Sequence, residues 1–203
     1  MADIWFDVVC PWAWITSRWI LEVESVRPVR ARWNVMSLAI LNAENEKTEL
    51  YQQLMDQSLE SGRILMAAAS AARAAGDDPS MVLGRLYTEM GSRFHLQAQP
   101  LSSELYAEAL TAAGLPADLA EVAGSDAYDE ELRTSHDDAM ARVGRKVGTP
   151  VVAVSGNAFF GPVITPSPRG EEAGVLWDGV MAVSRFEGFF ELKRTRTRKP
   201  SFE

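Results

Sequence analysis

The chain has 203 residues, 47% of them hydrophobic and 24% charged, with 20 basic against 28 acidic side chains and a formal charge of −8. That length fits one domain, or one domain carrying an insertion, and the composition is globular rather than collagen-like, coiled-coil or disordered. The acidic surplus argues against a nucleic-acid partner, which needs basic side chains for its phosphates; no apolar run reaches the roughly 18–20 residues of a membrane span.

The chain order begins with a short strand over residues 2–6. No basic stretch or long apolar stretch precedes it, so a signal peptide is not expected and the cytoplasm is. A helix follows from about Trp12 to Val26, with Trp12, Ile15, Trp19 and Val23 forming an apolar stripe at helical spacing. Pro11 suits its first turn, where a missing N–H costs nothing. Residues 29–35 alternate, with Val29, Ala31, Trp33 and Val35 on one side and Arg30, Arg32 and Asn34 on the other. This pattern predicts a half-buried strand.

The composition then changes. Residues 39–146 hold 20 of the 27 alanines, only 3 of the 10 prolines, and 18 acidic against 9 basic side chains. Alanine-rich, proline-poor sequence favours helix. Helices are expected over roughly 46–75, 80–95, 102–113, 117–123 and 126–146, with Gly76, Gly114 and Gly124 near their ends. Strand chemistry returns at Val151–Val154, turns at Ser155-Gly156-Asn157, and continues through Ala158–Phe160 as a hairpin. Residues 170–184 read as a final helix.

This order predicts an α/β, thioredoxin-like fold with a large all-helical insertion. The thioredoxin-like domain would comprise 1–38 plus 147–203, and the inserted helical domain 39–146.

Cysteine usage restricts the chemistry most. Cys10 is the only cysteine, so an intrachain disulfide and a cysteine-rich zinc site are excluded. His95 and His136 share no ligand spacing with it, no metal site is expected, and there is no glycine-rich phosphate loop. Cys10 sits between the first strand and the first helix. Free N–H groups and the positive end of the helix dipole there would favour a thiolate, giving a nucleophile with a pKa near or below neutrality. The bland reading is an inert buried thiol. Gly148-Thr149-Pro150, directly before a core strand, reads as a turn, a cis bond or an ordinary loop proline.

The segments Trp5-Phe6-Asp7, Cys10 through Trp19, Val35 through Asn42, Ser125 through Tyr128, Gly148-Thr149-Pro150, Phe159 through Pro162, Pro168 through Gly174 and Phe189 through Thr197 carry a resemblance. With them the chain resembles the actinobacterial mycothiol-dependent nitroreductase family of the DsbA-like thioredoxin superfamily. The resemblance implies mycothiol as cosubstrate, reduction of disulfides or electrophilic nitro compounds, and no flavin. It also implies that Thr149 and Pro150 form a cis-proline platform facing Cys10.

One departure bears on mechanism. The family pattern is Cys-Pro-Trp-Cys, whereas this chain has Cys10-Pro11-Trp12-Ala13. A dithiol cycle needs a second thiolate to attack the mixed disulfide. A monothiol cycle remains, in which a second mycothiol or a partner redoxin releases Cys10. Alternatively Cys10 positions a bound mycothiol without net redox, as in a kappa-class-like transferase or isomerase. A reading of another class is a non-catalytic ligand-binding or chaperone module.

Other residues have two readings each. Trp12 walls the site or packs in the core. Asn42 hydrogen-bonds the thiol or caps a helix. Tyr51 closes the site from the first inserted helix or packs within it. His95 and His136 act as acid–base groups or are structural. In the run Lys193 through Lys199, with five cations, one arginine packs back to bind an anionic group or all are solvated. The site is expected in a cleft between the thioredoxin core and the insertion.

Overall fold

A four-stranded mixed sheet positions the site. The computed structural model describes residues 1–45 and 48–202. Strands β1 (Ala2–Phe6), β2 (Ala31–Val35), β3 (Val151–Val154) and β4 (Asn157–Phe160) lie in the order β2-β1-β3-β4. β1 and β2 are parallel, with Ala2 opposite Ala31 and Phe6 opposite Val35. A parallel pair needs a crossover, supplied by α1 (Pro11–Val26). β3 pairs antiparallel with both β1 and β4, the latter across the Ser155-Gly156 turn. β2 starts two residues later than its alternation suggests because the Val29 N–H turns back to the Arg27 carbonyl at 2.8 Å.

Between β2 and β3 the chain forms α2 (Leu38–Leu41), α3 (Glu49–Ala75), α4 (Pro79–Gly91), α5 (Ser103–Ala112) and α6 (Asp129–Val143). Thr48 caps α3 by accepting from the Tyr51 N–H, so that helix begins after the predicted start, and residues 46–47 lie outside the described residues. It ends at Gly76, whose φ of +81° suits glycine. The predicted 80–95 helix is α-helical only to Gly91 and continues as a π turn over Ser92–Leu96. Residues Ala117–Gly124 form a 3₁₀ segment, and α6 is shorter than predicted, ending at Gly144. After β4, α7 (Gly170–Ser184) packs on α1: the Trp19 indole donates to the Ala173 carbonyl at 3.0 Å, and Trp177 lies 5.8 Å from the Trp19 ring. This is the thioredoxin-like layout with a helical insertion.

The larger of two buried clusters joins the sheet to the helices, and the smaller, with Trp5, Met36, Met140 and Val151, lies between β1, β3 and α6. Ile4, Phe6, Trp33 and Val35 of the sheet, Trp14, Trp19 and Ile20 of α1, and Ile64, Leu86, Tyr87, Met90 and Leu110 of the helical segment form one buried cluster. Phe6 stacks on Tyr87 with ring centroids 3.7 Å apart. Two helical glycines permit this closeness: a Cβ on Gly84 would sit 2.5 Å from Trp33, and one on Gly91 would sit 2.2 Å from Trp14. α4 therefore lies directly against β2 and α1.

Candidate active site

The loop from Asp7 to Cys10 is set by a buried carboxylate. Asp7 accepts from the Val9 N–H at 3.0 Å, from the Leu38 N–H at 2.6 Å and from the Ser58 hydroxyl at 2.6 Å. Its carbonyl accepts from the Cys10 N–H at 3.1 Å. These bonds tie the end of β1 to the starts of α1 and α2 and to the middle of α3. Ser37 extends the network: its hydroxyl lies 2.8 Å from that of Ser58 and accepts from the Ile40 N–H. Burial pushes the Asp7 carboxyl upward, against the lowering effect of the three donors.

Cys10 is the N-cap of α1, and Pro11 occupies the first helical position as its fixed backbone favours. The Ala13 N–H donates to Sγ at 3.4 Å, and the thiol donates to the Thr149 carbonyl, also at 3.4 Å. The Thr149–Pro150 bond is cis. The Thr149 hydroxyl donates to the Trp5 carbonyl at 3.3 Å, and the Pro150 carbonyl accepts from the Gly161 N–H at 2.8 Å, which fixes the loop to β1 and β4. Cys10, Pro11, Trp12, Ala13, Thr149 and Pro150 are thus brought together.

The expected low pKa is corrected. Cys10 is 5% exposed, and burial pushes its thiol up to about 12. The Ala13 and Trp12 N–H groups and Arg196 act in the opposite direction, and Asp7 adds to the rise. A helix N-terminus contributes up to about 2 kcal/mol, and withdrawal of water from the thiolate outweighs it here. In this arrangement Cys10 is a protonated donor.

The two histidines are held neutral. His95, in the π turn, has Nε2 2.8 Å from the Val8 carbonyl and packs between Trp14, Phe94 and Phe202. A carbonyl only accepts, so His95 carries its proton on Nε2. Burial pushes its pKa down to about 4. His136, on α6, accepts from the Ser37 N–H through Nδ1 at 3.3 Å, and burial lowers its pKa as well. The hydrogen bonds of the Cys10 sulfur among the described residues are to Thr149 and Ala13, not to either histidine.

Asn42 is spent locally. Its amide donates to the Leu38 carbonyl at 2.8 Å and its Oδ1 accepts from Asn45, closing the C-terminal end of α2 rather than capping a helix start. Tyr51 is half-buried in the first turn of α3, and its hydroxyl has no hydrogen bond among the described residues.

Trp12 is half-buried, and the Arg196 guanidinium lies 5.1 Å from its ring centroid. One arginine of the basic run therefore does pack back. Downstream, the Ser201 N–H donates to the Thr165 hydroxyl at 2.8 Å and Phe202 reaches the His95 ring. The segment after α7 thus passes over the Cys10 region. A surface hollow of about 450 Å³, lined by Asp56, Glu60, Ser102 and Tyr106 among others, belongs to the helical segment and does not include Cys10 or Trp12. Among the described residues there is no cluster of three metal-ligating side chains, and no helix is long and apolar enough to cross a membrane.

Sequence reasoning passed over Asp7, Ser37 and Ser58 as site residues. Their only signal is polar residues directly after an apolar strand or within an apolar helix face.

An uncharacterized protein of Mycobacterium tuberculosis (strain ATCC 25618 / H37Rv), Rv2286c, is 28% identical over 197 residues, covering 96% of this chain and 82% of its own. Among solved structures, a 2-hydroxychromene-2-carboxylate isomerase superposes with a TM-score of 0.57 at 14% identity, over 89% of this chain and 94% of that one. A "probable DsbA oxidoreductase SCO1869" from Streptomyces coelicolor superposes with a TM-score of 0.52 at 15% identity, over 97% and 94%. At such identities these structures show the fold alone, thioredoxin-like with a helical insertion of the DsbA kind. The family described as "Rv2466c-like: Mycothiol-dependent nitroreductase Rv2466c" matches residues 9–194, a span that holds Cys10, the helical segment and the Thr149-Pro150 loop, and the chain belongs to that family.

Proposed function

We propose that the protein is a monothiol oxidoreductase in which Cys10 is the nucleophile and mycothiol the electron donor. The observation that carries this reading is the placement of the only cysteine: N-cap of α1, bonded by the Ala13 N–H, facing the Thr149 carbonyl. That carbonyl and the start of α1 form a platform for a sulfur bound beside Cys10. Trp12 forms one wall, and an approaching disulfide or flat nitroaromatic would lie against it. The helical segment 39–146 acts as the cover over 1–38 plus 147–203. A single reduced cysteine suits the cytoplasm.

In the disulfide reaction the Cys10 thiol first loses its proton to solvent. The thiolate attacks one sulfur, the S–S bond breaks, and the leaving thiolate takes up a proton. Ala13 offers no second thiol, so a second mycothiol or a redoxin thiolate attacks the mixed disulfide and regenerates Cys10. In nitro reduction two mycothiols become one disulfide and supply two electrons and two protons, converting nitro to nitroso and water. The deprotonation step is uphill while Cys10 is buried, so opening toward solvent or ligand entry must precede it.

The test is consumption of mycothiol with a panel of nitroaromatics and with mycothiol mixed disulfides, using wild type and Cys10→Ser. The reading requires substrate-dependent consumption that falls to the uncatalysed rate in Cys10→Ser. Undiminished consumption in the variant removes Cys10 from the chemistry.

A second reading is favoured by the protonated thiol donating to Thr149 and by the absence of a second cysteine. In it Cys10 hydrogen-bonds a bound mycothiol thiolate, and the reaction is a transfer or isomerisation. Thiol is then required but recovered unchanged.

A further inference from the structure

Among the described residues, the elements around Cys10 are short of positive charge. From the end of β1 comes Asp7, buried and acidic. From α4 comes Tyr87, a buried neutral phenol. The π turn places His95 on the Val8 carbonyl, neutral. The loop before β3 offers the Thr149 carbonyl, whose oxygen repels a thiolate. On α1 itself, Arg18 is turned away: it lies 4.1 Å from the Trp14 ring centroid and donates to Ser17 and Thr88. Among the described residues, the cation that acts on Cys10 is Arg196, from the segment after α7.

Arg196 is not placed by chance contact of a loose chain. Upstream, Phe189 packs on Phe159 of β4 with ring centroids 6.0 Å apart. Downstream, the Ser201 bond to Thr165 and the Phe202 contact with His95 hold the chain. Between these anchors the guanidinium is set over Trp12, two residues from the sulfur. Lys193, Arg194, Arg198 and Lys199 make no comparable aromatic contact or ion pair among the described residues. Arg196 also lies beyond the span matched by the family, which ends at residue 194.

We propose that Arg196 is a positioning residue for the reactive state of Cys10: docked on Trp12, it supplies the positive charge that stabilises the thiolate during exchange. This rests on the reading of Cys10 as the nucleophile. Docked on Trp12, the same segment brings this charge to the Cys10 end of α1. In the reaction Arg196 neither gains nor loses a proton; its charge opposes that of Asp7 as the sulfur becomes negative.

The test is the rate of Cys10 alkylation by iodoacetamide, a neutral reagent, between about pH 6 and 10, for wild type, Arg196→Ala and Arg196→Lys. Arg196 is exposed, so neither variant threatens folding. In Arg196→Ala the rate should fall about three- to tenfold throughout this range, which lies below the titration of the buried thiol. Arg196→Lys should recover most of the loss. Raising sodium chloride to about 0.5 M should slow wild type and leave Arg196→Ala unchanged. Equal or faster alkylation of Arg196→Ala would overturn the proposal. A lysine variant as slow as the alanine variant would also overturn it. Because alkylation needs no substrate, these outcomes stand whether or not mycothiol turnover is found.

Discussion

The Cys10 sulfur lies 3.4 Å from the Thr149 carbonyl oxygen, a contact between residues 139 positions apart in sequence. The Ala13 N–H lies 3.4 Å from the same sulfur, so residue 13 stands one helical turn away on the near side of α1. Ala13→Cys should therefore form a reversible intramolecular disulfide with Cys10 under mild oxidation. Intact mass would show loss of two hydrogens, restored by a reductant. Two free thiols persisting under oxidation would contradict the geometry of this turn.

His95 predicts an acid-sensitive fold. Its pKa falls from 6.5 to about 4 in the folded protein because the ring is buried and neutral. A depressed pKa adds stability that is fully present above about 6.5 and is lost as pH drops toward 4. The loss amounts to about 3 kcal/mol across that window. His136, lowered for the same reason, adds in the same direction. In His95→Gln the amide can still donate to Val8, so its urea midpoint should depend less on pH. An unchanged slope between pH 7 and about pH 4.5 would contradict the burial of His95.

Gly91 sets α4 against α1. Alanine is better than glycine in a helix by about 1 kcal/mol. The added Cβ would meet the Trp14 ring at 2.2 Å, and forcing a methyl into packed space costs about 1–3 kcal/mol. Gly91→Ala should thus lower stability in a denaturant titration, whereas a gain would mean that α4 is not held against Trp14.

Asp7→Asn tests the buried network. The carboxylate accepts from three donors, and an amide replaces one oxygen by a donor. At least one of Val9, Leu38 or Ser58 loses its acceptor, at a cost of about 1–3 kcal/mol. Unaltered stability would show that these donors find other partners.

The sheet and its crossover were legible because they rest on local period. Val29 to Val35 alternates and the buried side of β2 follows it; Ile15, Trp19 and Val23 recur at helical spacing and are buried. α2 was not legible, since four residues carry no period, and its start depends on Ser37 and on Asp7 from another strand. The π turn after Gly91 also leaves no periodic sign. At the site, the place of Cys10 at a strand–helix junction could be read, and so could the departure at Ala13. The high thiol pKa could not, because it follows from tertiary burial and from the buried Asp7 carboxyl, which a strand–helix junction does not announce. Of the two readings of Asn42, helix capping is the one observed, at the C-terminal end of α2.

The central claim is that Cys10 exchanges with mycothiol through a single mixed disulfide. It is tested most directly by intact mass after incubation with oxidised mycothiol, beside oxidised glutathione, across a pH series. The account predicts one mycothiol adduct per chain, absent in Cys10→Ser, forming faster as pH rises and without levelling off near 8.5, the ordinary thiol value. No adduct at any pH would contradict covalent exchange at Cys10.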